Sequence, residues 1–250
     1  MNRLLTMVAP AVLLAFPQSL APATSSVYMC ALQLPAFEQK LDDRITEFDT
    51  SGRGLISLVL ELAYEHQLPA GIEYVDEAAF RPLRLVFRNE SVREILTAIV
   101  VQVPEYRISF SRGVVNIYSP RARDNHQNLL NAVISNFAVD NVDTHKADLE
   151  LFCILAREFA GSGCAFSVAF GQWGTRKITL HMRNATVYEI LNEIVAENGS
   201  AVWAVIAPPE KLDQIPVGGL WHVYPLDLTF KEAVLNKLKT LDAPRSQEAP

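Results

Sequence analysis

Residues 88 to 96 read Arg-Asn-Glu-Ser-Val-Arg-Glu-Ile-Leu, and residues 183 to 191 read Arg-Asn-Ala-Thr-Val-Tyr-Glu-Ile-Leu. Six of the nine positions are identical without a gap, at a separation of 95 residues. A repeat inside one chain is the signature of one supersecondary plan laid down twice.

The match extends outward as a physical pattern. Leu83, Leu85 and Phe87 alternate with Arg84, Val86 and Arg88, and Ile178, Leu180 and Met182 alternate with Thr179, His181 and Arg183 at the same offset. Period two predicts a strand with one buried face. Val92, Ile95, Leu96, Ile99 and Val100 follow, matched by Val187, Ile190, Leu191, Ile194 and Val195. That i, i+3, i+4, i+7 spacing predicts one apolar helical stripe in each copy. Ser91 with Glu94, and Thr186 with Glu189, have the spacing of a capping box, in which the hydroxyl accepts from an early backbone N–H and the carboxylate reaches back to the cap.

The flanks complete the unit. Tyr106 to Phe110 and Val114 to Tyr118 read as a hairpin about Arg112-Gly113, and Ala201 to Ile206 with Leu220 to Tyr224 read as the same pair of strands parted by a Pro-rich insertion, 207–219. Upstream, Ile45 and Phe48 answer to Ile134 and Phe137. A helical run follows in each copy (Leu55, Leu58, Val59, Leu62; Leu151, Phe152, Leu155, Phe159), then a short strand near Ile72 to Val75 or Ala165 to Phe170. Each unit therefore reads strand, helix, strand, strand, helix, strand, strand. This predicts an α+β fold of two tandem small domains, 45–120 and 130–225, each with its helices packed on one face of a small mixed sheet. A linker, 121–129, joins them; 24–44 reads as an N-terminal linker and 226–250 as a helix and tail.

Arg3 precedes an apolar run from Leu4 to Phe16, and Ala21-Pro22-Ala23 carries small residues where a signal peptidase reads. The expectation is a signal peptide over 1–23, export to the periplasm or outside, and no stable membrane insertion afterwards. Retention of the run as an uncleaved anchor is the other reading. Export puts Cys30, Cys153 and Cys164 in an oxidising space, where Cys153 and Cys164 either pair or are buried as small hydrophobes.

Chemistry is sparse. The five histidines are scattered singly, no Cys-x-x-Cys or His-Glu-x-x-His occurs, and no Gly-rich phosphate loop is present. The reading assigns no catalytic residue, no metal and no cofactor. A formal charge of −6 argues against nucleic acid, which requires a concentrated basic surface. His181 reads as a polar residue on a solvated strand face. Trp203 and Trp221 sit in presumed strands and read as core, whereas Trp173, between two glycines, is the candidate partner-binding residue.

This order of elements in an exported chain, with the Ser/Thr-Val-x-Glu-Ile-Leu helix start after Arg-Asn, resembles the short N-terminal domain shared by secretins and TonB-dependent receptors. The resemblance covers about 45 to 225. It implies a non-catalytic periplasmic interaction module whose partner is another envelope protein, in signalling, transport or secretion. The expectation departs from that family's usual context in placing no barrel or secretin pore after the domain. The alternative expectation is a small-molecule binder or enzyme with a cleft between the two units.

Overall fold

The computed structural model describes residues 36–74, 77–125, 128–160, 176–206, 221–227 and 231–236. In chain order they form α1 (36–42), β1 (Arg44–Asp49), α2 (Leu55–His66), β2 (Ala70–Tyr74), β3 (Val86–Ser91), α3 (Val92–Val101), β4 (Arg107–Ser111) and β5 (Val114–Tyr118). There follow α4 (Pro120–Arg123), β6 (Val133–Asp143), α5 (Thr144–Ala160), β7 (Lys177–Thr186), α6 (Val187–Asn198), β8 (Ala201–Ile206) and β9 (Trp221–Pro225). The fold is α+β. The strand expected near 165–170, the insertion at 207–219 and Trp173 lie outside the described residues.

Each copy of the repeated segment spans the end of the returning strand of a two-stranded antiparallel ribbon, β1–β3 or β6–β7, and the start of the helix that follows it. The two ribbons share one register. Arg44↔Ser91, Ile45↔Glu90, Glu47↔Arg88 and Phe48↔Phe87 become Val133↔Thr186, Ile134↔Ala185, Asn136↔Arg183 and Phe137↔Met182. Both skip a pair at the same place, opposite Asn89 (φ 53°) and Asn184 (φ 49°). Asn accepts the left-handed conformation at lower cost than other side chains, which accounts for its place in both copies. Two residues later the strand turns into the helix, where Val92 N–H donates to Asp43 O and Val187 N–H to Ala132 O, each at 3.0 Å. Capping boxes close both starts: Ser91 Oγ accepts from Glu94 N–H and Thr186 Oγ1 from Glu189 N–H, while each Glu carboxylate accepts from the cap's own N–H.

The ribbons are separate, but the remaining strands are not. They form one five-stranded sheet in the order β4-β5-β2-β8-β9, joined across the repeat by parallel pairing of β2 with β8 from Ala70↔Val202 to Tyr74↔Ile206. This corrects the expectation of two small sheets, each covered on one face. Residues alternate sides along a strand, and here both sides are buried. Ala70, Ile72, Val115, Ile117, Val202 and Ala204 belong to a core with α2 and α3, whereas Val114, Ala201, Trp203 and Val205 belong to a second core with α5 and α6. Strands buried on both faces read as continuous apolar runs rather than alternations. Ala201-Val202-Trp203-Ala204-Val205-Ile206 is such a run, and that signal distinguishes β8 from the alternating Arg107-Ile108-Ser109-Phe110-Ser111 of β4.

The ends fold back onto the first half. Residues 36–42, expected as linker, are helical, and Phe37 and Leu41 enter the α2/α3 core. Arg93 ties this helix down through Glu38 and, at 3.5 Å, Asp42. At the other end the helix expected within 226–250 is, among the described residues, a π-helical turn, Lys231–Leu235. Its Val234 and Leu235 are buried in that same first core rather than against the second half.

Gly71 lies opposite Trp203 across the β2–β8 junction, and a Cβ there would stand 2.4 Å from the indole ring. Overpacking of this kind costs about 1–3 kcal/mol. Gly71→Ala should therefore lower the unfolding free energy read from urea titration by about that much, and Trp203→Leu in the same chain should recover part of the loss. Ser91→Ala and Thr186→Ala, each removing one cap, should cost about 1 kcal/mol apiece by the same measurement.

Candidate functional site

A group of buried and half-buried polar side chains sits on the α6 face of the junction. It is built from both halves and from the segment expected to be a plain linker. Glu73 follows Gly71 by two positions on β2, so it faces the same way; its side chain is 3 % exposed. Arg123, the last residue of α4, reaches it with Nε–H donating to Glu73 Oε1 at 3.1 Å. The guanidinium lies 3.7 Å from the ring centre of Tyr118 and 4.0 Å from that of Tyr188. One ring comes from β5 of the first half and the other from α6 of the second. Arg123 thus joins the halves through a charge pair and two cation–π contacts, geometry that a planar guanidinium suits better than an ammonium.

α4 is placed to do this by its own turn chemistry. Pro120 occupies the first helical turn, where a missing N–H costs nothing, and Asn131 Nδ2–H donates to Arg123 O at 2.7 Å. Deeper along the same face Trp203 is fully buried; its indole N–H donates to Asn192 Oδ1 at 2.8 Å, and its ring meets Tyr188 edge-on at 5.8 Å. Asn116 on β5, opposite Gly71, is fully buried as well. Across the turn of the first hairpin, Arg112 reaches Glu193 on α6 at 3.6 Å. Arg112 (φ 52°) and Gly113 (φ 76°) form the left-handed pair that a two-residue hairpin turn demands, which aims this arginine at the second half.

Burial sets the proton affinities here. Desolvation pushes the Glu73 carboxyl up to about 7, against the opposing pull of Arg123. Glu193 is raised by burial against the opposing charge of Arg112, and Glu197 by burial together with the charge of Glu193. Chemically the arrangement can hold or release a proton near neutrality at Glu73, with Arg123 as its fixed counter-charge. Among the described residues no group of three or more His, Cys, Asp or Glu side chains is placed to hold a metal ion, and no helix is long and apolar enough to cross a membrane.

The residues singled out from the sequence are distributed otherwise. Ser91, Glu94, Thr186 and Glu189 all cap helices and lie outside the junction. Cys153 is disulfide-bonded, while Cys164 and Cys30 lie outside the described residues. His181 is on the exposed ribbon face, with Nε2 2.8 Å from Asp140 Oδ1. Trp203 is core, and nothing is described of Trp173 or of the Trp221 side chain. Glu73, Arg123, Tyr118 and Tyr188 were not legible as a group, because 115 residues separate Glu73 from Tyr188 and only the β2–β8 pairing brings them together. The one available signal was Glu73 itself, an acid in the otherwise apolar strand reading Ala-Gly-Ile-Glu-Tyr.

The exposed strand edges form the second feature of interest. β4 is the outermost strand of the large sheet on its side, and each ribbon strand has one neighbour among the described residues. Val86 on β3 and Val133 on β6 are 57 % and 54 % exposed. Comparisons with protein-family models, curated proteins and solved structures return no match to this chain.

A carboxyl whose folded proton affinity exceeds its unfolded one favours the fold below the ordinary carboxylate range, and that contribution is lost as pH rises through about 7. The shift at Glu73 amounts to on the order of 3 kcal/mol. Wild-type stability relative to Glu73→Gln should therefore fall between pH 5 and pH 8, as read from paired urea titrations. A difference independent of pH would contradict the assignment. Arg123→Ala leaves Glu73 buried with no counter-charge, and should cost about 3 kcal/mol at pH 8 and less at pH 5.

Proposed function

We propose that the chain is a non-catalytic interaction module of the bacterial cell envelope, exported to the periplasm and accessory to signalling, transport or secretion. The observation that supports this best is the pair of two-stranded ribbons standing apart from the shared sheet, with strand edges unpaired among the described residues. An unpaired edge presents a row of backbone donors and acceptors and accepts a further strand from a partner, main-chain bonds supplying affinity and alternate side-chain pockets specificity. The likeness in element order and helix start to the short N-terminal domain of secretins and TonB-dependent receptors points to the same kind of task. So does the apolar leader read at 1–23.

The alternative, a small-molecule binder or enzyme acting between the halves, draws its support from the proton affinity of Glu73. Weighing against it, the junction is occupied by β2–β8 hydrogen bonds, by Trp203 lying over Gly71 and by Arg123 against both tyrosines. Two measurements separate the readings. In-cell crosslinking followed by mass spectrometry should recover a defined envelope protein in repeated experiments, whereas recovery of none together with a co-purified metabolite would favour the cleft. The N-terminus of the chain recovered from the periplasmic fraction should be Thr24, as cleavage after Ala23 requires.

A further inference from the structure

The repeat places the same corner in the fold twice, and in the second half β2 fills it. At the repeat's offset of 95 residues, 201–206 answers to 106–111, so β8 is the counterpart of β4, and each pairs antiparallel with the strand that follows it. The other edge of β8 takes β2 in parallel, with Gly71 opposite Trp203 and Glu73 opposite Val205. Tyr188, Asn192 and Ala196 of α6 close that corner. Tyr188 meets Trp203 edge-on, Asn192 accepts its indole N–H, and Ala196 is buried.

The same offset sets Arg93, Thr97 and Val101 of α3 in those three places, and Ile108 and Phe110 of β4 in the places of Trp203 and Val205. Arg93 lies over the Phe110 ring at 4.9 Å, so this stripe of α3 runs along β4 as the other runs along β8. Here the corner is open to solvent: Thr97 is exposed, Val101 is 69 % exposed, and β4 has β5 as its one neighbour among the described residues. The two-residue turn at Arg112-Gly113 fixes the phase of the β4–β5 ladder. Ser111, Ser109 and Arg107 bond to β5, while the N–H and C=O groups of Ile108 and Phe110 point outward. Val115, opposite Phe110, accordingly donates away from β4, to Pro69 O at 2.9 Å.

Resting on the reading of the chain as an interaction module, we propose that the outer edge of β4 docks an extended segment of a partner protein. The segment runs parallel to β4, as β2 does to β8, with an acidic residue opposite Arg107 and apolar residues opposite Ile108 and Phe110. The filled copy supplies the strand direction. The apolar positions follow from Ile108, Phe110 and Val101, which border the edge on its α3 side. The acid follows from charge. Arg107 is exposed, its guanidinium donates to the carbonyls of Pro104 (2.8 Å) and Tyr106 (2.7 Å), and no carboxylate pairs with it among the described residues. Of its charged neighbours, Arg93 is held by Glu38 and Asp42, and Glu105 by Arg81. Opposite charges facing each other across a strand pair stabilise it and like charges do the reverse. Where β8 carries the buried Val202 and Ala204, β4 carries Arg107 and Ser109, so the far side of the incoming strand is polar and needs no cover. A second copy of this chain does not supply the strand through β2, since both edges of β2 are paired.

The test uses the full mature chain, ¹⁵N-labelled, titrated with the acetylated and amidated peptide Thr-Glu-Val-Thr-Val-Thr and with the same peptide carrying Gln in place of Glu. In the chain alone the amides of Ile108 and Phe110 should exchange with solvent faster than those of Ser109 and Ser111. Saturating peptide should slow both and shift amides of β4 and the facing side of α3. Affinity should fall about threefold for the Gln peptide and for Arg107→Gln, the size of an exposed charge pair. Arg107 is on the surface, and an unchanged spectrum elsewhere verifies folding. A nitroxide at the peptide's N-terminus should broaden signals near Arg107 rather than near Ser111. Amides of Ile108 and Phe110 already protected in the chain alone, shifts centred on another strand edge, broadening centred on Ser111, equal response to the two peptides, or no response overturn the proposal. In-cell crosslinking of wild type and Arg107→Glu then separates its failure from failure of the broader reading. A defined partner captured by wild type and lost from the variant supports the β4 edge. Equal capture by both leaves the module in place with a different docking edge, whereas capture of none by wild type removes the module itself.

Discussion

The parallel pairing of β2 with β8 is the constraint on which the rest depends. Left apart, the three strands β4-β5-β2 and the pair β8-β9 would each expose a row of unsatisfied backbone groups at the edge, and β8 an apolar face. Joining the edges satisfies the backbone groups and lets each half's helices cover the opposite side of a common sheet. The price is paid in side-chain volume: the strand crossing beneath Trp203 must be glycine at position 71.

Once that pairing forms, the polar group at the junction follows from it. Glu73 is carried into the interior because it shares a face with Gly71, and an ionised carboxylate there requires a counter-charge. Arg123 supplies it from the connecting segment, stacked on one aromatic ring from each half. The connection between the repeats is therefore structural in a way that its Arg-, Asp- and Asn-rich composition does not suggest. The raised proton affinities of Glu73, Glu193 and Glu197 are all consequences of the same burial, and all three act in one direction on the pH dependence of stability.

The ribbons stand outside this scheme, and their shared geometry explains the repeated sequence directly. Arg-Asn-x-Ser/Thr-Val-x-Glu-Ile-Leu encodes a strand that skips one pair at a left-handed asparagine, then a capped helix start whose first N–H is tied to the opposite strand. Divergence between the copies falls where the surroundings differ. Arg53 fills a corner in the first half that only a groove occupies in the second among the described residues, and α6 is buried nearly all round where α3 keeps Val101 exposed.

Local chemistry was legible from the residues in order: the strand alternations, the capped helix starts, the Arg112-Gly113 turn and the α+β class all rest on periodicities and spacings a few residues long. What reaches across the chain was not legible. The merging of two sheets into one, the helical packing of residues 36–42, the return of Val234 and Leu235 to the first core and the meeting of Glu73 with Arg123 and Tyr188 each depend on contacts between distant segments. An alternating pattern states that a strand has an apolar face without stating which surface covers it. Only the packed structure decides that, because the covering surface is chosen by competition among all the apolar faces the chain presents.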